Sequence, residues 1–176
     1  TTQPVIRIED QFGNRVTSDN STVVSATRNA GSATLQGTTS ATAVNGLATF
    51  SNLAYNKAET ITVDFNGGSL TGATSTNVAV NAAAANKLVI QTQPSGTATA
   101  GTTFAQQPQV RVEDQFGNLR SADNTTVVTA ARATGNGTLQ GTTSATASGG
   151  VASFNNLSYL VAETMTMAFS SSGLTG

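Results

Sequence analysis

Chemistry at a protein site needs side chains that move protons, supply electron pairs or hold metals, and this sequence offers few. It contains no histidine and no cysteine. A Ser-His-Asp triad, a Cys-His dyad, an imidazole or thiolate zinc site and any disulfide are therefore excluded. Nine acidic and eight basic residues remain in a chain of 176. All the acids but Asp64 recur in pairs along the chain, so each is judged by what both copies share.

The first pair centres on Asp10, Gly13 and Asn14, matched by Asp114, Gly117 and Asn118. Glu9, Asp10, Asn14 and Asp19 together offer oxygens to a hard cation such as Ca²⁺. The spacing D-x-x-G-N nevertheless lacks the dense alternating acids of a dedicated calcium loop. Aspartate accepting backbone N–H groups, followed by a glycine at positive φ, is ordinary tight-turn chemistry, and a turn is the expectation here.

Glu59 and Glu163 each begin a strand-like run. A glycosidase needs two carboxylates flanking a cleft. Sugar-binding clefts also favour aromatic walls, yet tryptophan is absent and aromatics are only 5% of residues. These glutamates read as solvated charges at strand ends. Lys57 and Lys87 are the only lysines, and a Lys–Asn cross-link beside a buried acid is one use for such a residue. Lys57 becomes Val161 in the second copy and Lys87 begins a strand, so neither fits a shared device. Asn20, Asn124, Asn136 and Asn156 lie in N-x-S/T triplets, which matter only where surface proteins are glycosylated. Thr38, Thr39, Ser40 and Thr42 form either a flat hydroxyl array or, as expected, an exposed edge strand. No residue survives as a catalytic, cofactor-binding or metal site. The chain reads as not an enzyme.

Composition narrows the remaining classes. Charged residues are 10% of the chain and the net charge is −1, which removes the electrostatic basis for binding nucleic acid. No run approaches the ~20 apolar residues of a membrane helix, so no membrane span is expected. The opening TTQPV lacks the basic start and apolar core of an export signal, which would have to lie outside it.

What positions these residues is a repeat. An offset of about 104 residues lays Gln3-Pro4 on Gln107-Pro108, and the match runs without a gap to Gly72 on Gly176. About three positions in five are identical. The shared blocks are EDQFGN (9–14 and 113–118), TLQGTTSATA (34–43 and 138–147) and AET (58–60 and 162–164). A period near 100 residues is the size of a whole sandwich domain, whereas solenoid repeats are shorter. Residues 73–104 occur once and contain NVAVN (77–81), AAAAN (82–86) and KLVIQTQP (87–94). They read as a closing strand, a linker and an opening strand. The boundaries expected are a repeat over 1–81 without its opening strand, a short Ala-rich linker over 82–86, and a repeat over 87–176 without its closing strand. Excision from a longer array accounts for both missing strands; a strand donated by a neighbouring chain is the other possibility.

Within each repeat, alternation identifies strands. Ile6 and Ile8 point inward while Arg7 and Glu9 point outward, and Val110, Val112, Arg111 and Glu113 repeat this. Ile61, Val63 and Phe65 alternate with Thr60, Thr62 and Asp64; Met165, Met167 and Phe169 take the same places later. Further short runs bounded by Gly or Asn bring the total to about seven or eight strands per repeat. Gly, Thr and Val interrupt every window long enough for a helix. The fold class is all-β, tandem sandwiches.

The stretch KLVIQTQPSGTATAGTTFAQQPQVRVEDQFGN, followed by GTLQGTTSATASGGVASFNNLSY, resembles the immunoglobulin-like repeats of very large bacterial surface proteins and adhesins. The V-x-V-x-D-x-x-G-N and G-V-A-x-F blocks together carry the resemblance, which covers essentially the whole chain. One departure is that such repeats often place an aromatic early in the penultimate strand, where this chain has Ile61 and Met165, with Tyr55 and Tyr159 before it. The resemblance implies an immunoglobulin-like sandwich in an extracellular, cell-surface stalk, filament or surface layer. Its partners would be neighbouring repeats of the same chain, with self-assembly into a fibre or layer open. The alternative is an adhesin module binding glycan or a surface protein through loops. RNAGSA (28–33) and RATGNG (132–137), which differ between the copies, are where such specificity would lie.

Overall fold

The computed structural model describes residues 2–175, and these form strands without a helix. The chain divides into two units, Thr1–Asn81 and Ala82–Gly176. Each has eight strands among the described residues.

Unit 1 contains β1 (Val5–Arg7), β2 (Val23–Arg28), β3 (Ser40–Thr42), β4 (Leu47–Thr49), β5 (Thr60–Ile61), β6 (Val63–Asn66), β7 (Ala73–Thr74) and β8 (Val78–Ala79). One sheet runs β3-β2-β6-β7, and the pairs β1-β4 and β5-β8 complete the unit. β1 and β4 pair antiparallel with Ile6 opposite Ala48. The period-two pattern turns Ile6, Ile8, Ala48 and Phe50 toward Val24, Ala26, Val63 and Phe65 of the four-stranded sheet, and all join one core cluster. Phe50 and Phe65 tilt against each other at 5.4 Å between ring centroids. Burying that apolar filling between two layers is what a sandwich-type unit requires.

Unit 2 contains β9 (Ala85–Thr92), β10 (Gln109–Asp114), β11 (Val127–Thr134), β12 (Leu139–Gln140), β13 (Ser144–Thr146), β14 (Val151–Ser153), β15 (Ser158–Tyr159) and β16 (Thr166–Ser170). Its sheets run β14-β10-β9, β13-β11-β16 and β12-β15. The core is built from the same positions as in unit 1: Val112, Val128, Ala130, Ala152, Phe154 and Phe169 replace Ile8, Val24, Ala26, Ala48, Phe50 and Phe65. The second aromatic pair, Phe154 and Phe169, sits at 5.6 Å. Each unit therefore has a separate apolar cluster.

Two sequence expectations change. The alanine-rich stretch 82–86, expected as a short linker, is in part strand: Ala85 and Asn86 open β9, and the Ala83 N–H donates to Asp114 at 2.9 Å. Extended backbone beside β10 has an edge partner, so pairing begins at Ala85. Glu113, expected to face water, is only 7% exposed, because β9 covers it and sets Lys87 3.8 Å from its carboxylate.

The units also differ at their edges. β10 lies between β14 and β9, whereas β1 has β4 as its one strand neighbour among the described residues. Conversely β6 lies between β2 and β7, whereas among the described residues β16 pairs with β11 alone. Met165 and Met167 are accordingly only partly buried, while Ile61 and Val63 are buried.

Candidate functional site

One densely bonded polar group in each unit is the aspartate of the EDQFGN turn. Asp10 Oδ1 accepts the Phe12 and Asn14 N–H groups, both at 2.9 Å, and Oδ2 accepts Asn14 Nδ2 at 3.1 Å. The Gly13 N–H returns to Asp10 O at 3.1 Å, with Gly13 at φ +81°. An L-residue there would be strained, which is why the turn carries glycine. Asp114 repeats every bond, with Phe116 N–H at 2.8 Å, Asn118 N–H at 2.9 Å and Asn118 Nδ2 at 2.9 Å, and adds Ala83 N–H. Hydrogen bonds from Asn14, backbone first, hold the Asp10 carboxyl below its ordinary range. At Asp114 burial pushes the other way. Bonds from Asn118, Ala83 and Phe116 outweigh it and leave the group lowered. Oxygens that take several N–H groups of one short loop organise that turn.

Asp19 and Asp123 work likewise one loop later. Each Oδ1 accepts two successive backbone N–H groups at 3.0 Å, from Ser21 and Thr22 or from Thr125 and Thr126.

The second constellation joins a tyrosine, a glutamate and the loop whose sequence differs between copies. In unit 2, Tyr159 Oη donates to Glu163 Oε1 at 2.7 Å and accepts the Gly137 N–H at 2.6 Å. Glu163 also takes the Asn136 N–H at 2.5 Å and Asn136 Nδ2 at 2.8 Å. In unit 1, Tyr55 Oη donates to Glu59, Ala33 N–H donates to Tyr55 Oη at 2.6 Å, and Ser32 N–H donates to Glu59 at 2.6 Å. Arg28 and Arg132 close each loop on the carbonyls of Gly31 and Gly135. The tyrosine bond, then the backbone donors, bring both glutamates down to about 2. Burial, then Glu163, raises the Tyr159 phenol. The solvated-charge reading of Glu59 and Glu163 is thus corrected: each carboxylate ties a loop down. An acid titrating near 2 is ionised at neutral pH and has no proton to give as a general acid.

Other sequence candidates are placed singly. Lys57 reaches Ser32 Oγ and lies 3.8 Å from Glu59, while Lys87 pairs with Glu113. The sequon amides are occupied: Asn136 Nδ2 bonds Glu163, Asn156 Nδ2 bonds Thr142 Oγ1 at 3.0 Å, and Asn20 Nδ2 bonds Ser18 O at 3.2 Å. Asn124 Nδ2 reaches Ala122 O at 3.4 Å. Ser40–Thr42 forms β3, an edge strand of the four-stranded sheet. Sequence reasoning missed the Tyr–Glu clamp, although Y-x-x-x-E recurs at 55–59 and 159–163. It also missed Phe12 and Phe116, exposed at the tip of the EDQFGN turn in both copies. Their signal was a large apolar residue inside a turn motif.

No family model, curated protein or solved structure matches this chain. Fold and geometry define an all-β protein of two sandwich-type units whose recurrent polar groups are engaged in holding their own loops.

Proposed function

We propose that this chain is a pair of immunoglobulin-like repeats serving as a structural module of a long extracellular surface or fibre protein, as stalk, filament or surface layer. One observation carries the reading. The polar groups common to both copies, at Asp10, Asp19 and Glu59 and at Asp114, Asp123 and Glu163, are spent on internal turns and loops. A repeated group that fixes shape through internal hydrogen bonds is what a spacer needs. Electron micrographs of a polypeptide carrying several copies in tandem test it. Evenly spaced beads are expected; a single compact globule overturns the reading.

A second reading, an adhesin module, draws on the clamped loops. Residues 28–33 and 132–137 differ in sequence while being held by the same tyrosine and glutamate, so a constant frame presents variable side chains. A glycan array probed with the whole chain distinguishes the two. Saturable binding lost on changing Asn29 and Ser32 favours the adhesin; silence across the array favours the spacer.

A further inference from the structure

Asn45, Asn66 and Asn136 each precede a glycine. In such a pair the glycine nitrogen can attack the asparagine's own side-chain amide, because no Cβ hinders the approach and the backbone turns freely. The structure sets the three pairs apart. The Gly46 N–H donates to Asp19 O at 2.8 Å, Asn45 is held at φ +50°, and an added Cβ on Gly46 would lie 2.5 Å from Val16 O. The Gly137 N–H donates to Tyr159 Oη at 2.6 Å and to Glu163 Oε1 at 3.1 Å, while Asn136 Nδ2 donates to Glu163 Oε2 at 2.8 Å. Neither glycine nitrogen can turn on its asparagine without breaking these bonds. The Glu163 carboxylate also opposes deprotonation of the Gly137 amide.

Asn66 ends β6 opposite Ser25 and is exposed. Its carbonyl accepts Ser25 Oγ at 3.2 Å, but among the described residues neither its side-chain amide nor the Gly67 N–H has a hydrogen-bond partner. The turn from β6 to β7 is loosely held. Gly68 sits at φ +66° facing open space, and the Leu70 N–H reaches Gly67 O at 3.3 Å. The opening recurs with either flanking strand in place. β7 pairs with β6 in unit 1; in unit 2, where β9 flanks β10, the counterpart Ser170 is again exposed and the Ser171 N–H again has no partner among the described residues.

We propose that the Asn66-Gly67 pair is a site of spontaneous covalent modification, the one of the three that the fold leaves reactive. The Gly67 nitrogen attacks Asn66 Cγ. The N–Cγ bond forms, the Cγ–Nδ2 bond breaks, and Nδ2 leaves as ammonia with the proton that Gly67 gave up. Water then opens the cyclic imide at one carbonyl or the other, leaving aspartate or isoaspartate at position 66. Either product adds a negative charge at the end of β6. The isoaspartyl form also routes the backbone through the side chain where Asn66 pairs with Ser25, so the modification marks the age of the chain at the β6–β7 turn. The proposal stands whether or not the spacer reading holds.

The test ages the folded full chain at mildly alkaline pH and follows each asparagine by peptide mapping, with a parallel sample in hydroxylamine, which intercepts the imide and cuts the chain there. Acid is expected at Asn66, with hydroxylamine fragments of 66 and 110 residues. Asn45 and Asn136 should lag by about tenfold or more, because their bonded glycine amides must first open. In urea the three sites should react at similar rates. Gly67→Ala should slow the reaction and keep the fold, since its Cβ would meet nothing closer than a Thr22 methyl carbon at 3.3 Å. Four results overturn the proposal: no reaction at Asn66 in the folded chain, Asn45 or Asn136 keeping pace with it, the same preference for Asn66 in urea, or an unchanged rate in Gly67→Ala.

Discussion

Leu157→Ala removes a leucine with no exposed surface from the core of unit 2. Gln107 holds the Leu157 carbonyl and N–H, both at 3.0 Å, and the Phe104 N–H donates to the same carbonyl at 2.9 Å. Backbone pinned on both sides cannot sink into the space the side chain leaves. The cost therefore falls in the upper half of the range for buried leucines, about 4 kcal/mol. Leu53 is its counterpart and has the same glutamine frame, from Gln3 at 3.1 and 2.9 Å. Leu53 is only partly buried, so Leu53→Ala should cost about 2 kcal/mol. A difference of about 2 kcal/mol moves the melting point of a domain this size by roughly 8–16 °C. Thermal unfolding of the full chain, followed by NMR signals assigned to each unit, reads both substitutions in one background. Equal costs, or a Leu157→Ala loss spread evenly over both units, would refute the reasoning.

Three further outcomes follow from the polar groups and turns. Glu163 titrates near 2 in the folded chain against an ordinary 4.5, so its stabilisation is complete above about pH 4.5 and is lost as pH falls toward 2. Glu163→Gln should flatten that acid dependence in an NMR-monitored pH titration of unit 2; an unchanged profile counts against the clamp. At Gly141, held at φ +92°, an added Cβ would lie 2.2 Å from the Asn156 carbonyl oxygen, whereas one at Gly13 meets nothing within 4 Å. Gly13→Ala should then cost about 1–2 kcal/mol of backbone strain, and Gly141→Ala clearly more, by urea denaturation. Asp114→Asn should destabilise unit 2 by about 1–3 kcal/mol, since the amide cannot accept all four N–H groups; Asp10→Asn should have a smaller effect in the same assay.

Much of this architecture is legible because its causes are local. Alternation in Ile6–Glu9 and Thr60–Phe65 reads directly as strands, and D-x-x-G-N reads as a turn because aspartate and glycine each have one physical reason to be there. What escaped the sequence depends on partners far along the chain. The burial of Glu113 and Asp114 requires β9, and nothing in the residues of 82–86 distinguishes a tether from the start of a strand. Glu59 and Glu163 looked solvated because the N–H groups they take, at Ser32 and Asn136, lie 27 residues away. The spacing of Tyr55 and Glu59, repeated at Tyr159 and Glu163, was the only clue.

Pulling single molecules by their two ends probes the claim on which the whole picture rests, that each copy encloses its own filling. Two distinct rupture peaks are predicted, each freeing on the order of 250 Å of polypeptide. One peak releasing about twice that length, or smooth extension without any peak, would contradict it.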